Sequence, residues 1–172
     1  DRRSQLSFVL SHPTKPWLAG LGLGVAKDAR ATQYARFGTE EPLDGPQDAF
    51  RHAYAAALFS LRTMRDHGAS PDEAHELALE AGDAHEADGQ DSNDAASRAM
   101  DEANNLAGTR IVGDGRAAPG EPADADGWLT DEALEARVLT ALASGGLRVV
   151  DRRGDAAVAR ATSPFDLPDP TR

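Results

Sequence analysis

The hydrophobic positions along the chain recur at the spacing of helices rather than at the strict alternation of half-buried strands. The clearest case begins at Gly45-Pro46, where apolar side chains form a broad helical stripe over residues 47–66. No charged residue occurs between Arg51 and Arg62 within it. A helix that is apolar on nearly all sides is usually buried at the centre of a domain. The pattern therefore predicts that residues 47–66 form the central helix.

Four further helices are predicted from periodicity and from signals at their ends. Ser70 precedes Pro71 and Glu73, which is the pattern of a capping box, and Thr130 caps the last predicted helix. A glycine-broken apolar stretch precedes the first helix, and Gly145-Gly146 follows the last. Besides the central helix, the predicted helices cover about 25–37, 71–87, 94–107 and 131–144.

The remaining segments predict loops and one small sheet. Residues 112–127 are rich in Gly, Pro, Ala and Asp and predict a surface loop, and residues 88–94 predict an acidic one. Residues 147–150 and 156–162 flank Arg152-Arg153-Gly154 and predict a β-hairpin. The expected fold is mainly α, a single domain of about five helices with a possible C-terminal hairpin. Its parts are a lead-in (1–44), a motif-bearing core (45–111), the loop (112–127), a helix with the hairpin (128–163) and a poorly ordered tail (164–172).

Composition narrows the function classes. Cysteine is absent, which excludes disulfides, zinc–thiolate sites and cysteine nucleophiles. The net charge of −11 disfavours a nucleic-acid or anionic-membrane partner, because like charges repel at long range. No apolar run approaches the ~20 residues of a membrane span. The chain shows neither an initiator methionine nor a signal peptide, so we expect it to be a piece of a longer protein.

Three of the predicted helices carry polar side chains that could meet in one site. Asp48 and His52 are i,i+4 neighbours, and a stripe at i, i+3, i+4 and i+7 starts at Asp101. Asn and Asp are poor residues for a helix interior, and a buried carboxylate is costly unless it is paired or bound to metal. Their oxygens suit Ca²⁺, Mg²⁺ or Mn²⁺, and histidines also admit Zn²⁺. The candidate residues are Asp48, His52, His85, Glu86, Asp101, Asn104 and Asn105.

Each candidate also has a plainer interpretation. Asp48 could be a first-turn carboxylate favoured by the helix dipole, and His52 could be a surface histidine. His85, on the apolar face of its helix, could be a core histidine. Asn104 and Asn105 could make interhelical hydrogen bonds, and Glu86 could belong to a solvated helix end.

Three ordered motifs resemble one family. Residues 45–54 read GPQDAFRHAY, residues 84–86 read AHE, and residues 100–108 read MDEANNLAG. They are similar to a helical domain with the signature DAFRHA…HE…MDxxNNxxGR, found at the C-termini of polymorphic, contact-dependent and secreted bacterial toxins. The resemblance covers roughly residues 44–150, with Gly108-Thr109-Arg110 where the family has Gly-Arg. It implies an antibacterial toxin domain with a cognate immunity protein, secreted or delivered to the target-cell envelope as the C-terminal part of a larger protein.

A weaker resemblance concerns the calcium-dependent lipid II phosphatase toxins of type VII secretion. These helical proteins have one Asp well upstream of a DxxD pair; here Asp48 and Asp101 match the first two places, and Asn104 replaces the last. The resemblance implies Ca²⁺ as the first choice of cation and a lipid-linked cell-wall precursor as substrate.

The leading hypothesis from the sequence is a metal-dependent hydrolase of a phosphoester or pyrophosphate. Asp48, Asp101, Asn104 and Asn105 would hold the cation. His52 or His85 would activate water, Glu86 would orient or share that proton, and Arg51 would contact a phosphate oxygen or form a surface salt bridge. The alternatives are a metal-dependent nuclease toxin and a non-catalytic binding module with a buried polar network.

Overall fold

The computed structural model describes residues 3–39, 44–88, 94–151 and 157–163. Within them the chain forms six helices and a two-stranded sheet, so the prediction of a mainly α fold with a small hairpin is confirmed. The elements are α1 (Arg3–Ser11), α2 (Leu18–Phe37), α3 (Pro46–His67), α4 (Pro71–Asp88), α5 (Ala95–Val112), α6 (Asp131–Ala143), β1 (Arg148–Asp151) and β2 (Val158–Ala161).

The central helix of the fold is α3, as its sequence predicts. It packs against α2, α4, α5, α6 and β1, and most extensively against α5. Pro46 occupies its first turn, where the missing N–H has no intrahelical acceptor to lose. Because neighbours cover several sides, Phe59 is buried as well, although it lies off the main apolar stripe. The helix ends at Gly68, whose φ of 68° places it in the left-handed region.

Side-chain caps form at the start of the next three helices, and two of them, at Ser70 and Thr130, were predicted. The backbone N–H of Glu73 donates to Ser70 Oγ (3.3 Å), and that of Ala133 donates to Thr130 Oγ1 (3.2 Å). The Asp94 carboxylate accepts the N–H groups at the second and third positions of α5. These caps satisfy backbone donors that have no acceptor within the helix.

The N-terminal region differs from the prediction. Two helices are present where one was predicted, and α2 starts at Leu18 instead of residue 25. Gly20, Gly22 and Gly24 therefore lie inside a helix rather than breaking it. Each such glycine costs ~1 kcal/mol relative to alanine. The buried Leu18 and other apolar residues of α2 offset this cost by packing into the core.

The C-terminal strands form as predicted and pack against the central helices. β1 pairs antiparallel with β2 in the register Arg148↔Ala161 to Asp151↔Val158, and β1 contacts both α3 and α5. The predicted loop contains two isolated bridges, Arg116↔Trp128 and Ala123↔Leu129. The predicted hairpin turn, most of the acidic loop 88–94 and the tail 164–172 lie outside the described residues. No described helix is both long and apolar enough to cross a membrane.

Candidate metal centre

Two helices bring three metal-ligand side chains together in the core. Asp48 lies in the first turn of α3, His52 follows one turn later, and Asp101 comes from α5. His52 Nε2 lies 3.7 Å from Asp48 Oδ1 and 3.3 Å from Asp101 Oδ1. All three residues are buried, and one ligand atom from each lies within 4.8 Å of the others. This group could hold a metal ion, and it joins the aspartates and the histidine that the sequence placed in one site.

The close approach of α5 to α3 depends on a glycine. A Cβ atom at Gly108 would lie 2.1 Å from the backbone oxygen of Ala53, the neighbour of His52. No side chain fits in that space without moving one of the helices. Gly108 is two turns from Asp101 on the same face of α5, so it allows the short distance over which Asp101 reaches His52. The glycine at the end of the polar stripe therefore has a packing role.

Asp48 uses its two carboxylate oxygens differently. Oδ2 accepts the backbone N–H of Asp44 at 3.0 Å, which fixes the start of α3, and Oδ1 forms an ion pair with Arg51. Asp44 has a φ of 65°, unusual for a non-glycine residue, and its carbonyl accepts the N–H of Val150 in β1 at 3.0 Å. Asp48 thus has the helix-start role suggested by its position and faces His52 as well. The sequence analysis missed Asp44, whose only signal is its place before Gly45-Pro46.

A third carboxylate lies on the other side of the histidine. Glu86 Oε1 is 3.9 Å from His52 Nδ1 and the side chain is buried, so the interpretation of Glu86 as part of a solvated helix end is wrong. Glu86 also hydrogen-bonds with Asp101. The imidazole of His52 is therefore surrounded by carboxylates on its two nitrogen-bearing sides.

The cluster contains more carboxyl groups than cationic partners: Asp48, Glu86 and Asp101 share the single guanidinium of Arg51. Burial raises the pKa of Asp101, and the nearby charges of Glu86 and Asp48 raise it further. Burial also lowers the pKa of His52 to about 4, so its imidazole is neutral at pH 7. A neutral imidazole beside carboxylates is the form that binds a metal ion. Bound positive charge would relieve the repulsion that keeps Asp101 protonated.

The two asparagines have different partners. Asn104 Nδ2 donates to the Arg148 carbonyl (2.9 Å), and Asn104 Oδ1 accepts the Arg148 N–H (2.8 Å). Both ends of the amide bind the backbone of β1, so the structure gives Asn104 a structural role in place of the metal-binding one. Asn105 lies beside His52, whose pKa it raises, and contacts Gly82, where a Cβ would lie 2.6 Å from Asn105 Nδ2. The missing side chain at Gly82 therefore leaves room for the Asn105 amide next to His52.

His85 differs from the prediction in its burial. Its side chain is exposed, so the interpretation of His85 as a core histidine on the apolar face of its helix is wrong. His85 borders a cavity, so periodicity predicts its direction but not its burial. Its Nδ1 lies 3.2 Å from Gln5 Nε2, and its ring centroid is 6.2 Å from that of His52.

The cavity has a volume of about 380 Å³ and lies between α1, α2, α3 and α4. His52 and Arg51 line it and also belong to the metal centre, and Asn105 and His85 complete this polar part of the lining. The carboxylates of Asp48 and Asp101 do not line it. A molecule in the cavity would therefore meet the centre at His52 and Arg51.

A family model described as "Domain of unknown function (DUF6973)" matches residues 7–128, which is well over half of the chain. The chain belongs to this family. The DUF6973 region contains every candidate site residue, from Asp48 to Asn105, and the whole of α2 to α5. No curated protein and no solved structure matches the chain. DUF6973 membership carries no activity with it, so the resemblance to toxin domains stays a prediction.

Proposed function

We propose that this domain is an antibacterial toxin domain and a metal-dependent hydrolase of a phosphoester or pyrophosphate. The observation that supports the chemistry is the buried group of Asp48, His52 and Asp101, whose ligand atoms lie within 4.8 Å of one another beside a cavity. Arg51 lies between the Asp48–His52–Asp101 group and the cavity, where its guanidinium supplies positive charge for a phosphate oxygen. The toxin assignment rests on the three sequence motifs.

The donor set bears on the choice of cation. Ca²⁺, the ion implied by the sequence resemblance, takes oxygen ligands, whereas this group offers an imidazole nitrogen and two carboxylates. Mixed nitrogen and oxygen donors suit Mn²⁺ or Zn²⁺ better. We therefore expect Mn²⁺ or Zn²⁺ to bind more tightly than Mg²⁺ or Ca²⁺. A bound cation would neutralise phosphate charge and polarise phosphorus.

The residues around the cavity fit hydrolysis. The reaction forms a bond from a water oxygen to phosphorus, breaks the bond from phosphorus to the leaving oxygen, and moves a proton from water to that oxygen. His85 lines the cavity and lies outside the ligand group, which suits it to carry this proton. If Gln5 donates to His85 Nδ1, the neutral ring carries its proton on Nε2. His85 would then give this proton to the leaving oxygen as a general acid, and the proton that the attacking water releases would restore it. Glu86, 3.9 Å from His52 Nδ1, orients the ligand.

A non-catalytic polar network is the competing proposal. It is favoured by the bonds of Asp48 to Asp44 and Arg51, which form without any metal. A nuclease would use the same chemistry, but the net charge of −11 opposes a polyanionic substrate.

Thermal unfolding separates the metal proposal from the network. Wild type treated with EDTA should unfold at a lower temperature than protein supplied with MnCl₂ or ZnCl₂. At a metal concentration 100-fold above Kd, linkage gives ~2.7 kcal/mol, or roughly 5–10 °C for a domain of this size. The Asp101→Asn protein should unfold at the same temperature with EDTA and with added metal. Glu102→Gln is the matched control, since Glu102 is the exposed neighbour and loses the same charge. A wild type indifferent to EDTA and to every added metal supports the network instead.

Expression in a bacterium tests the toxin assignment and the location of the target. Inducible wild type should be toxic when exported to the periplasm and harmless in the cytoplasm, if the substrate is in the envelope. Toxicity confined to the cytoplasm would favour a nucleic-acid or nucleotide target. Asp101→Asn should be harmless in both compartments, and Glu102→Gln should behave as wild type.

The proposed toxin requires an immunity protein in the cell that makes it. The acidic surface would steer a partner that presents basic groups. The association rate of that pair should fall steeply as salt rises, with little change in the dissociation rate. Co-purification from the native operon, followed by kinetics at two salt concentrations, tests this. Failure of every neighbouring gene product to bind would contradict the toxin proposal.

A further inference from the structure

The cavity between α1, α2, α3 and α4 has an apolar part that the hydrolysis chemistry does not use. Its volume of about 380 Å³ falls in the ~300–1,000 Å³ range of small-molecule sites. Ten of its 22 lining residues are alanine or glycine, so short side chains leave the space between the helices open. Larger apolar walls come from Phe8 and Val9 of α1, Leu18 of α2 and Phe59 of α3.

The charge of the lining is opposite to that of the whole protein. The chain has 29 acidic residues and a net charge of −11, yet no acidic residue is among those lining the cavity in the described part of the chain. Its charged lining residues are Arg30 and Arg51. An apolar space that carries two guanidinium groups is complementary to a molecule with an apolar chain and an anionic head group.

One exposed hydrophobic side chain belongs to the cavity itself. Leu23, 68% exposed, is one of four large hydrophobic side chains that are exposed in the described part of the chain, and it lines the cavity. A solvent-exposed apolar residue in the lining offers a contact for an apolar ligand that enters from solution.

We propose that the cavity between α1, α2, α3 and α4 binds the apolar chain of a phosphate-headed amphiphile, with the head group at Arg51 and His52. This inference rests on the proposed function for its head group, and it adds a chain-binding site formed by the first four helices. It makes the hydrolase selective for substrates that carry a long chain. It also assigns a role to α1 and α2, which hold none of the metal ligands.

Binding can be measured apart from catalysis by calorimetric titration in EDTA. Three probes separate the two halves of the ligand: dodecyl phosphate below its critical micelle concentration, ethyl phosphate, and dodecyl maltoside. Wild type should bind dodecyl phosphate at least tenfold more tightly than either of the others. Equal affinity for dodecyl maltoside would overturn the phosphate head group, and equal affinity for ethyl phosphate would overturn the chain site.

A matched pair of glycine substitutions tests the location. A Cβ atom at Gly22, which lines the cavity, would meet no atom within 4 Å, so the backbone there accepts a side chain and Gly22→Leu narrows the cavity. Gly24→Leu adds the same side chain to the same helix at a position with equal room that does not line the cavity. Both should fold at least as stably as wild type, since leucine favours a helix over glycine. Gly22→Leu should weaken dodecyl phosphate binding at least tenfold and leave ethyl phosphate unchanged.

The results distinguish the two proposals. Selective binding of dodecyl phosphate that Gly22→Leu removes and Gly24→Leu keeps supports the chain site, even if no phosphoester is hydrolysed. Metal-dependent hydrolysis of short and long phosphoesters at equal rates, with equal binding of both phosphates, would support the hydrolase and overturn the chain site. Equal effects of the two leucine substitutions would also overturn it.

Discussion

Two charged clusters on opposite ends of α3 differ in burial and in balance. Near its C-terminal end, Arg62 bridges Asp28 of α2 and Asp131 of α6 at 2.7 and 2.9 Å, and those carboxylate side chains are 44% and 41% exposed. Near its N-terminal end, the Asp48 and Asp101 side chains are 9% and 4% exposed and meet His52. The ion pairs of Arg62 link three helices at a site whose carboxylates are exposed to solvent. The Asp48–His52–Asp101 group instead places its carboxyl groups in the core.

The difference shows which cluster stabilises the fold. Exposed ion pairs contribute only ~0–1 kcal/mol, because water screens them and side-chain entropy opposes them. Buried carboxylates that repel one another destabilise a fold unless something compensates for their charge. A cluster that works against stability is a candidate for function. The Asp48–His52–Asp101 group meets that description and the Arg62 bridge does not.

The largest expected effect is on activity. Asp101→Asn keeps the size of the side chain and removes one ligand charge, so metal-dependent hydrolysis should fall by at least ~1,000-fold, since a cation supplies several kcal/mol of transition-state stabilisation. The fold should remain, because the raised pKa of Asp101 keeps it neutral in the metal-free protein, and asparagine is a neutral side chain of the same size. Hydrolysis of a chromogenic phosphodiester with added Mn²⁺, next to circular dichroism, measures both. If the Asp101→Asn protein is active, or if it is unfolded, the Asp48–His52–Asp101 group has a structural role, as the Arg62 ion pairs do.

The next largest effect is on stability and metal affinity together. Gly108→Ala would place Cβ 2.1 Å from the Ala53 carbonyl and push α5 away from α3, at a cost of about 3 kcal/mol. Metal affinity should fall with it, because Asp101 moves away from His52. Urea denaturation and metal titration measure the two effects. Gly24→Ala, on a helix with open space around that glycine, is the control; it should leave metal affinity unchanged and raise stability by up to ~1 kcal/mol. Unchanged metal affinity in a folded Gly108→Ala protein would show that metal binding does not depend on the distance between α3 and α5 at Gly108.

A smaller effect concerns pH. The pKa of Asp101 is raised in the folded state, so metal-free protein holds a proton there that the unfolded chain releases, and stability falls as pH rises. His52, with its pKa lowered to about 4, has the opposite slope between about pH 4 and 6.5, and the two oppose each other there. Above pH 6.5, of these two groups only Asp101 still makes the free energy of unfolding depend on pH. Metal-free stability should drop by roughly 2 kcal/mol from pH 6.5 to 9.

Added metal should remove that drop, because the bound cation favours the ionised carboxylate. Calorimetry of metal binding at pH 7 in buffers of different ionisation enthalpy should show release of close to one proton. Asp101→Asn should flatten the pH profile and abolish the proton release. A flat profile in metal-free wild type would show that Asp101 is already ionised there.

The smallest effect is at the exposed cluster. Arg62→Ala should cost at most ~1 kcal/mol, and less at high salt, and should leave metal affinity unchanged. Denaturation at 0.05 and 1 M NaCl, with a metal titration, measures it. A loss of metal affinity in Arg62→Ala would mean that the two ends of α3 are coupled.

The sequence predicted the elements that carry local signals. The central helix, the caps at Ser70 and Thr130 and the paired strands all follow from patterns within a few residues. The N-terminal helices were predicted poorly because Gly20, Gly22 and Gly24 argue against a helix locally. Packing of Leu18 and its neighbours against the core outweighs that local preference.

For the site, the sequence by itself determined which chemical groups are present: an i,i+4 pair of Asp48 and His52, and an aspartate in the interior of α5. Only the tertiary structure decided which of them meet. Helix periodicity fixes the direction of a side chain. The helix or strand that packs against that side decides whether the side chain is buried, exposed or hydrogen-bonded. Asn104 is bonded to β1, His85 borders a cavity, and the close packing at Gly108 brings Asp101 to His52. These outcomes depend on contacts between segments far apart in the chain, which no local pattern contains.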